Sequence, residues 1–264
     1  MMADHKTLSV DRPEPGIVRM TLDRQAQLNA VTEEMFAEIV QVCAEIESDP
    51  DARVLIVTGA GRAFCAGLDL ECADTLLASA PPQMLETLDR WGRSLMAFRD
   101  LSKPVIAAVN GPATGGGLAI SLACDVRIAS IDARFNVAFI KLGFTGGDMG
   151  VSYLLPRVVG LGHASELMLT GRFIGADEAA GIGLVNRVVA PDELMDAALE
   201  CARDISRNSA LGVGLTKQVL QHSLAAPSLT AAMELENRNQ TLTALSGAVS
   251  EGLARFRSRP SDRG

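Results

Sequence analysis

Two glycine-rich segments are the parts of this sequence best suited to chemistry. The first reads TGAGRAFCAGLDL over residues 58–70, and the second reads NGPATGGGLAISLACD over residues 110–125. Each follows a short apolar run typical of a buried strand and leads into an apolar segment that favours a helix. A helix N-terminus leaves backbone N–H groups unpaired, and glycines let a substrate approach them closely. Two such termini directed at one point would form an oxyanion hole, which stabilises negative charge on a carbonyl oxygen.

Other uses of a glycine-rich turn fit the sequence less well. A single such turn after a strand is ordinary loop chemistry, but the three consecutive glycines at 115–117 are costly because each loses much backbone entropy on folding. Neither segment offers G-x-G-x-x-G at the start of a helix, with an acidic residue ending a second strand, as a dinucleotide site requires. No Lys-Ser or Lys-Thr follows Gly59 or Gly115, so the phosphate-binding P-loop pattern also fails.

Alternating strands and helices are predicted to position these segments. Apolar runs predict strands at residues 16–22, 53–58, 104–109 and 126–130. Apolar residues at helical spacing predict helices at 32–48 and 83–100, and a mobile loop is predicted at 80–82, before the second of these helices. After about residue 156 the pattern is helical, at residues 163–170, 176–181, 192–208, 212–224, 229–245 and 249–257. The chain is therefore predicted to be an α/β core, residues 1–200, followed by a helical region, residues 201–264.

Composition narrows the class of protein. The 264 residues carry 24 Lys and Arg against 32 Asp and Glu, a net charge of −8 that disfavours non-specific nucleic-acid binding. Five irregularly spaced cysteines favour neither a disulfide framework nor a metal site. No apolar segment suits a signal peptide or a membrane span, so a cytoplasmic protein without membrane insertion is expected.

Four motifs, in order along the chain, resemble those of the crotonase superfamily, the enoyl-CoA hydratase/isomerase family. They are LDRQAQLNAV at 22–31, RAFCAGLDL at 62–70, KPVIAAVNGPATGGGLA at 103–119 and LMLTGRFIGADEAAGIGLVNRVV at 167–189. Together they span nearly the whole sequence. The resemblance implies a ββα spiral core followed by C-terminal helices that associate into a homo-trimer or a dimer of trimers.

The resemblance also implies a substrate and a site. The substrate would be an acyl-CoA thioester, with coenzyme A bound as part of the substrate and no prosthetic group. The backbone N–H groups of Ala66 and Gly116 would hold the thioester oxygen. Two segments, residues 24–30 and 63–69, would line the coenzyme A groove. The residues assigned to coenzyme A are Arg24, Gln27, Leu28, Ala63, Ala66, Gly67, Leu68, Asp69 and Gly116.

Two positions depart from the hydratases of this family. Hydratases place one glutamate just after the triple glycine and another in the following segment, and Ala119 and Phe139 stand at those positions. Addition of water to a double bond needs one group to deprotonate water and another to deliver a proton. Alanine and phenylalanine do neither, so the sequence favours a reaction other than hydration.

Asp148 is the carboxylate in the most suggestive place. It occupies a position that resembles the active-site aspartate of dienoyl-CoA isomerases and the nucleophilic aspartate of 4-chlorobenzoyl-CoA dehalogenases. A lone carboxylate can shuttle one proton between carbons two apart, which is double-bond isomerisation. Asp148 also precedes an apolar helix, so it could instead be an N-cap. An acyl-CoA hydrolase or dehalogenase with Asp148 as nucleophile, and a non-catalytic CoA-ester-binding protein, are the alternatives.

Other polar residues near the motifs have simpler interpretations. Asp69 is interpreted as the cap of the following helix, Glu71 as either near the acyl path or solvated, and Cys65 as a packing residue. Arg24 could contact a phosphate or be a surface charge. The three histidines lie outside the motifs and form no triad or metal-ligand pattern.

Overall fold

A computed structural model describes residues 5–257 of the chain. The described strands are β1 (Leu8–Glu14), β2 (Ile17–Leu22), β3 (Val54–Gly59), β4 (Val105–Val109), β5 (Ala113–Thr114), β6 (Val126–Ser130), β7 (Arg134–Asn136), β8 (Ile174–Gly175) and β9 (Arg187–Val189). The helices are α1 (Glu33–Ser48), α2 (Leu70–Ala78), α3 (Pro81–Asp100), α4 (Gly116–Ala123), α5 (Val151–Thr170), α6 (Ala176–Gly181), α7 (Leu194–Ser206), α8 (Ala210–Ser223), α9 (Leu229–Leu245) and α10 (Ala248–Arg257). Short 3-10 helices cover Gln25–Gln27, Ala138–Leu142 and Pro191–Glu193.

Six strands form one sheet in the order β1-β2-β3-β4-β6-β9. The β1–β2 pair is antiparallel, and every later neighbour in this sheet is parallel. A smaller sheet has the order β5-β7-β8. Because β3 and β4 are parallel neighbours, their carboxyl ends lie side by side, and the two glycine-rich segments leave the sheet at the same edge.

The central strands are buried on both faces, as their continuous apolar runs predict. In β3, Leu55 and Val57 belong to the large core that includes α1 and α4, whereas Val54 and Ile56 belong to a smaller core against α7. Successive side chains of a strand point to opposite faces, which explains this division. The predicted α/β core with C-terminal helices is confirmed.

Local signals set the ends of the helices beside the site. Thr32 caps α1 by accepting the Met35 N–H at 3.2 Å, and α1 ends before Asp49, as predicted. The prediction of a loop at residues 80–82 is wrong, because α3 begins at Pro81 with Ala80 as its N-cap. Proline suits the first turn of a helix, where its missing N–H would have no intrahelical partner.

The C-terminal helices are joined to the core by a buried lysine. Lys217 on α8 donates from Nζ to Phe98 O at 2.9 Å and pairs with Asp125 at 2.8 Å. The predicted helix at 163–170 is the second half of α5, whose backbone departs from helical angles at Gly160. The proposed domain boundary at residue 200 falls within α7, and a separate C-terminal domain stays a prediction.

The part of the chain that the structure describes contains neither a membrane-spanning helix nor a metal-binding cluster. Among residues 5–257, no helix combines the length and apolar character that crossing a bilayer requires. The same residues contain no cluster of three or more His, Cys, Asp or Glu side chains arranged to hold a metal ion.

Candidate active site

The two glycine-rich segments lie side by side at the carboxyl ends of β3 and β4. We call residues 63–69 and 111–117 the donor turns. Cys65 pairs with Ala113 in a parallel bridge, and the Thr114 N–H donates to Cys65 O at 3.0 Å. The Thr114 hydroxyl donates to Ala66 O at 2.7 Å. The donor turns are therefore fixed to each other mainly by backbone groups.

Glycine is required where the donor turns touch. A Cβ atom at residue 117 would lie 2.1 Å from Cys65 O, a distance that no side chain can adopt without displacing the backbone. Gly67 has a φ of +98°, and a Cβ atom there would lie 3.6 Å from the Gly116 nitrogen. The main chains of Gly67 and Gly116 are thus adjacent, which explains the glycines as a close approach of two backbones.

Gly116 and Leu68 carry the two amides that are free to bind an oxygen. Gly116 is the first residue of α4, where an N–H has no intrahelical acceptor. Val31 forms a parallel bridge with Leu68, in which the Val31 N–H donates to Gly67 O and the Asp69 N–H donates to Val31 O. Val31 uses its own N–H and C=O in this bridge, so the Leu68 amide faces the other way. Within residues 5–257, neither amide has a hydrogen-bond acceptor.

The assignment of Ala66 as a donor needs correction. The Ala66 N–H already donates to Leu28 O at 3.0 Å, so it holds the first motif against residues 24–30 and is not free to bind a thioester. The free amide of the first donor turn is that of Leu68, two residues later. Sequence reasoning placed Leu68 in the groove but not in this role, because the Leu28–Ala66 contact joins residues far apart in the chain.

Residues 24–30 hold the first donor turn in place through hydrogen bonds. The Asn29 side chain donates to Ala60 O at 2.9 Å and to Ala63 O at 2.8 Å. Leu28 and Asn29 both have positive φ, 52° and 58°. Sequence reasoning missed Asn29, although an Asn in a tight turn is a recognised signal for the left-handed conformation.

Arg24 and Asp69 form a mostly buried ion pair beside the site. Arg24 Nη1 lies 2.8 Å from Asp69 Oδ2 and also donates to Ala30 O at 2.6 Å. Asp69 Oδ1 accepts the Glu71 N–H at 3.0 Å, which confirms Asp69 as the cap of α2. Burial alone would raise the pKa of Asp69, but the hydrogen bonds from Arg24 and Glu71 outweigh it and hold that pKa below its ordinary value. The guanidinium is thus engaged within the protein.

Both positions predicted to correspond to hydratase acids are apolar. Ala119 lies fully buried in the second turn of α4, and its N–H donates to Gly115 O at 3.0 Å. Phe139 is 7% exposed, and its Cε1 would lie 3.5 Å from a Cβ atom at Gly115. An aromatic ring therefore packs beside the second donor turn at the position predicted for a hydratase acid, and neither residue can transfer a proton.

Asp148 lies in a strained turn beside Gly116. The sulfur of the next residue, Met149, would lie 3.6 Å from a Cβ atom at Gly116. Met149 and Gly150 have positive φ, 49° and 77°. A left-handed methionine is unusual, and such backbone persists only where the surroundings enforce it. This turn, residues 144–150, brings the Met149 side chain to the N-terminal end of α4, and we call it the Asp148 turn.

The Asp148 carboxylate is not a helix cap. The N-cap of α5 is Gly150, with no side-chain hydrogen bond, and the carboxylate accepts only the Met149 N–H, at 2.7 Å. Among the described residues it has no cationic partner. Burial raises the pKa of Asp148, and the hydrogen bond from Met149 opposes this only in part. A partly desolvated carboxylate without a counter-ion is a candidate acid or base.

The remaining candidates have structural roles or lie at the surface. Cys65 is fully buried, and burial raises its thiol pKa to about 12, so it packs rather than reacts. Glu71 and Lys141 are exposed, and the His222 ring contacts Gln218 O on the surface of α8. The structure therefore brings together the two donor turns and the Asp148 turn. Binding of coenzyme A by Gln27, Ala63 and the other assigned residues stays a prediction.

Known proteins are similar to this chain over nearly its whole length. A model of the enoyl-CoA hydratase/isomerase family matches residues 12–261. A probable enoyl-CoA hydratase of Mycobacterium tuberculosis is 39% identical over 240 residues, 89% of this chain and 84% of the relative. The 1,2-epoxyphenylacetyl-CoA isomerase of Escherichia coli is 36% identical over 244 residues, 92% of each chain.

A solved structure supports the same grouping. The crystal structure of an enoyl-CoA hydratase from Bacillus anthracis superposes with a TM-score of 0.90 at 34% identity and covers 96% of each chain. The crotonase-type fold class predicted from the four motifs is thereby confirmed. The relatives include a probable hydratase and an isomerase. Similarity therefore does not distinguish hydration from isomerisation, and support for one reaction has to come from the residues of the site.

Proposed function

We propose that this chain, a member of the enoyl-CoA hydratase/isomerase family that processes acyl-CoA thioesters, is a double-bond isomerase with Asp148 as its single proton carrier. The proposal rests on one observation: the site offers a single partly desolvated carboxylate together with two free backbone amides. Asp148 has no cationic partner among the described residues, and the sulfur of the next residue, Met149, would lie 3.6 Å from a Cβ atom at Gly116.

The reaction needs only one acid/base group. The Asp148 carboxylate removes a proton from the carbon next to the thioester carbonyl of a 3-enoyl thioester. The electron pair moves into the carbonyl, and the negative oxygen is held by the N–H groups of Leu68 and Gly116. Asp148 then returns the proton to the carbon two positions further along, and the double bond moves to the 2-position. No water or second acid is consumed.

The two backbone amides supply most of the electrostatic stabilisation. They are positioned before the reaction and bind the enolate oxygen more strongly than the neutral carbonyl. Each such donor contributes roughly 3–4 kcal/mol to lowering the barrier. Because the pKa of Asp148 is raised, its carboxylate is a stronger base for taking up the substrate proton, and the resulting carboxylic acid can return that proton.

Hydration fits these residues poorly. It needs a group that deprotonates water on one side of the double bond and a second group that delivers a proton. Ala119 is fully buried and Phe139 is nearly so, and neither ionises. The site therefore favours isomerisation, although hydratases are among the relatives.

The decisive experiment compares Asp148→Asn with Asp132→Asn, an exposed aspartate in the turn after β6. The substrates are 3-enoyl- and 2-enoyl-CoA thioesters, and saturated acyl-CoA binding is measured separately. We expect Asp148→Asn to lower kcat about 10³-fold with nearly unchanged binding, and Asp132→Asn to behave as the parent. In deuterium oxide, a fraction of the product made by the parent should still carry the hydrogen removed from the substrate, because Asp148 returns it before it exchanges with solvent.

The alternatives give different outcomes in the same assay. If Asp148 is the nucleophile of a hydrolase or dehalogenase, single-turnover reactions in ¹⁸O-water should label its carboxylate. If the chain only binds CoA esters, the parent should bind them without turnover. Either result would reject the isomerase.

The same proposal includes a cytoplasmic homo-trimer or dimer of trimers. Its support is the surface of α8 and α9, which exposes Leu220, Leu224, Leu229, Leu242 and Leu245 by 46–80%. Large exposed apolar side chains gathered on one region of the surface are typical of interfaces. Sedimentation equilibrium at several concentrations tests it, and a persistent monomer would reject it.

A further inference from the structure

Arg127 is a buried cation that the proposed reaction does not use. It lies in β6, shortly after α4, and is only 7% exposed. Burial lowers the pKa of its guanidinium, because the surroundings disfavour the charge. Among residues 5–257 no carboxylate forms an ion pair with it, since the nearby Asp125 pairs with Lys217 at 2.8 Å. A buried charge without an ion pair is costly unless other groups stabilise it.

The groups that stabilise Arg127 are the carbonyls at the C-terminal end of α4. Its Nη1 donates to Cys124 O at 2.6 Å and to Ser121 O at 3.1 Å. The last carbonyls of a helix have no intrahelical partner, and they carry the partial negative charge of the helix dipole. The guanidinium therefore caps α4 and offsets the negative end of its dipole.

Two further contacts fix the position of this guanidinium. Its Nε–H donates to Leu184 O at 2.8 Å, and the Arg127 main-chain N–H donates to the Asn186 side chain at 2.9 Å. Both partners belong to the segment that joins α6 to β9, and β9 is the parallel neighbour of β6. The main sheet thus holds the charge against the end of α4.

The opposite end of α4 carries the free amide of Gly116. The helix has eight residues, Gly116–Ala123, which corresponds to about 12 Å. All eight are buried, so solvent screens one end from the other only weakly. At an effective dielectric constant of about 20, a unit charge about 12–15 Å away changes an equilibrium or a rate roughly five- to tenfold.

We propose that Arg127 is a positioning residue for the thioester oxygen and acts through α4. Its charge offsets the negative end of the helix, and this strengthens the attraction of the Gly116 amide for a negative oxygen. The inference rests on the proposed thioester site but does not require isomerisation, because any reaction that places negative charge on this oxygen would gain from it. Arg127 itself does not touch the substrate.

Three substitutions separate the charge of Arg127 from its role as an anchor. Arg127→Gln removes the charge and keeps a hydrogen-bond donor, whereas Arg127→Lys keeps the charge with fewer donors. Asp125→Asn removes a negative charge from the same end of α4, because residue 125 directly follows the helix C-cap. Asp125 Oδ2 accepts the Val105 N–H at 2.8 Å, and an asparagine oxygen can keep this bond.

Arg53→Gln is the matched control. The Arg53 guanidinium also donates to a main-chain carbonyl, Asn208 O, at 2.6 Å. Arg53 directly precedes β3, at the edge of the main sheet opposite to the donor turns. The control changes the net charge of the chain by the same amount as Arg127→Gln, and it should behave as the parent.

The main measurement is the infrared frequency of the thioester carbonyl of a bound saturated acyl-CoA, labelled with ¹³C at that carbon. A stronger attraction for the oxygen lowers this frequency. We expect the frequency to rise in Arg127→Gln, to stay near the parental value in Arg127→Lys, and to fall in Asp125→Asn. On a substrate that turns over, Arg127→Gln should lower kcat roughly five- to tenfold with little change in KM.

The result that would overturn the inference is an equal carbonyl frequency in the parent and in Arg127→Gln. A higher frequency of the same size in all three variants would also overturn it, because a purely structural anchor predicts damage whatever the sign of the charge. If Arg127→Gln does not fold, Asp125→Asn still decides, since the charge effect predicts a lower frequency and structural damage predicts a higher one.

The isomerase and the role of Arg127 fail in distinguishable ways. If the parent turns over no thioester but its bound carbonyl responds to the variants as expected, the isomerase fails and the role of Arg127 stands. If the parent and Arg127→Gln isomerise thioesters at the same rate with the same carbonyl frequency, the isomerase stands and the role of Arg127 fails. A parent that binds no acyl-CoA would overturn both.

Discussion

The donor turns and the Asp148 turn border the same residue, Gly116, but are built in opposite ways. The donor turns are buried, and their candidate chemistry lies in main-chain N–H groups. The Asp148 turn is partly exposed, contains left-handed backbone, and offers a side chain. Substitutions in the donor turns can change the position of the two N–H groups only by moving the backbone, whereas a substitution at Asp148 removes the reacting group and leaves the backbone in place. The following predictions test that difference.

The largest effect is expected within the triple glycine. Gly117→Ala would place Cβ 2.1 Å from Cys65 O and must separate the donor turns, whereas at Gly116 the nearest atom would be at 3.5 Å, an ordinary contact. Gly117→Ala should lower kcat/KM at least about 10²-fold, the loss expected for one displaced donor, and lower the melting temperature. Gly116→Ala should keep the parental melting temperature. Equal behaviour of the two variants would contradict the close approach of the turns.

A smaller loss is expected when the ion pair beside the first donor turn is broken. Asp69→Asn keeps the shape but removes the charge that pairs with Arg24, which should cost about 2 kcal/mol of unfolding free energy at neutral pH. Because the pKa of Asp69 is lowered in the folded state, its contribution is present above the ordinary value of 3.8 and is lost as pH falls through the folded pKa. Denaturant unfolding of both proteins should therefore converge in acid. A difference in unfolding free energy between the two proteins that does not change with pH would argue against the ion pair.

Hydrogen exchange can separate Leu68 from Ala66 as the donor. The Ala66 amide is bonded to Leu28 O and should be protected in the free protein, whereas the Leu68 amide has no acceptor among residues 5–257. Adding a saturated acyl-CoA should slow exchange at Leu68 by about tenfold or more and change Ala66 little. Protection gained at Ala66 instead would restore the sequence-based assignment.

The smallest effect concerns stability at Asp148. Burial raises its pKa, so the folded state favours the protonated form, and the stability lost through the carboxylate grows as pH rises above 3.8 and through the folded pKa. Asp148→Asn should therefore unfold at a slightly higher temperature than the parent at neutral pH. The difference should vanish as pH approaches 3.8, the ordinary value. A less stable Asn variant at neutral pH would indicate that the carboxylate makes a favourable contact in the folded protein.

Much of the fold could be read from the sequence because its signals are local. The period of apolar residues placed α6 and α9 at their observed ends, and the Asp-Pro pair after residue 48 marked the end of α1. The same reading misplaced residues 80–82 in a loop. Prolines interrupt the interior of a helix but are well tolerated in its first turn, and composition alone did not distinguish these positions.

Residue type and order were enough to predict which segments could bind an oxyanion, that apolar residues stand where hydratases are expected to have acids, and which carboxylate remains. The folded backbone was needed to show that Leu28 O accepts the Ala66 amide, that the Leu68 amide is free, that Arg24 pairs with Asp69, and that Asp148 is not a cap. Each of these is a hydrogen bond, made or missing, that depends on how segments distant in sequence or strained in backbone meet in space. The direction of an N–H group depends on backbone angles, and no residue type specifies it alone.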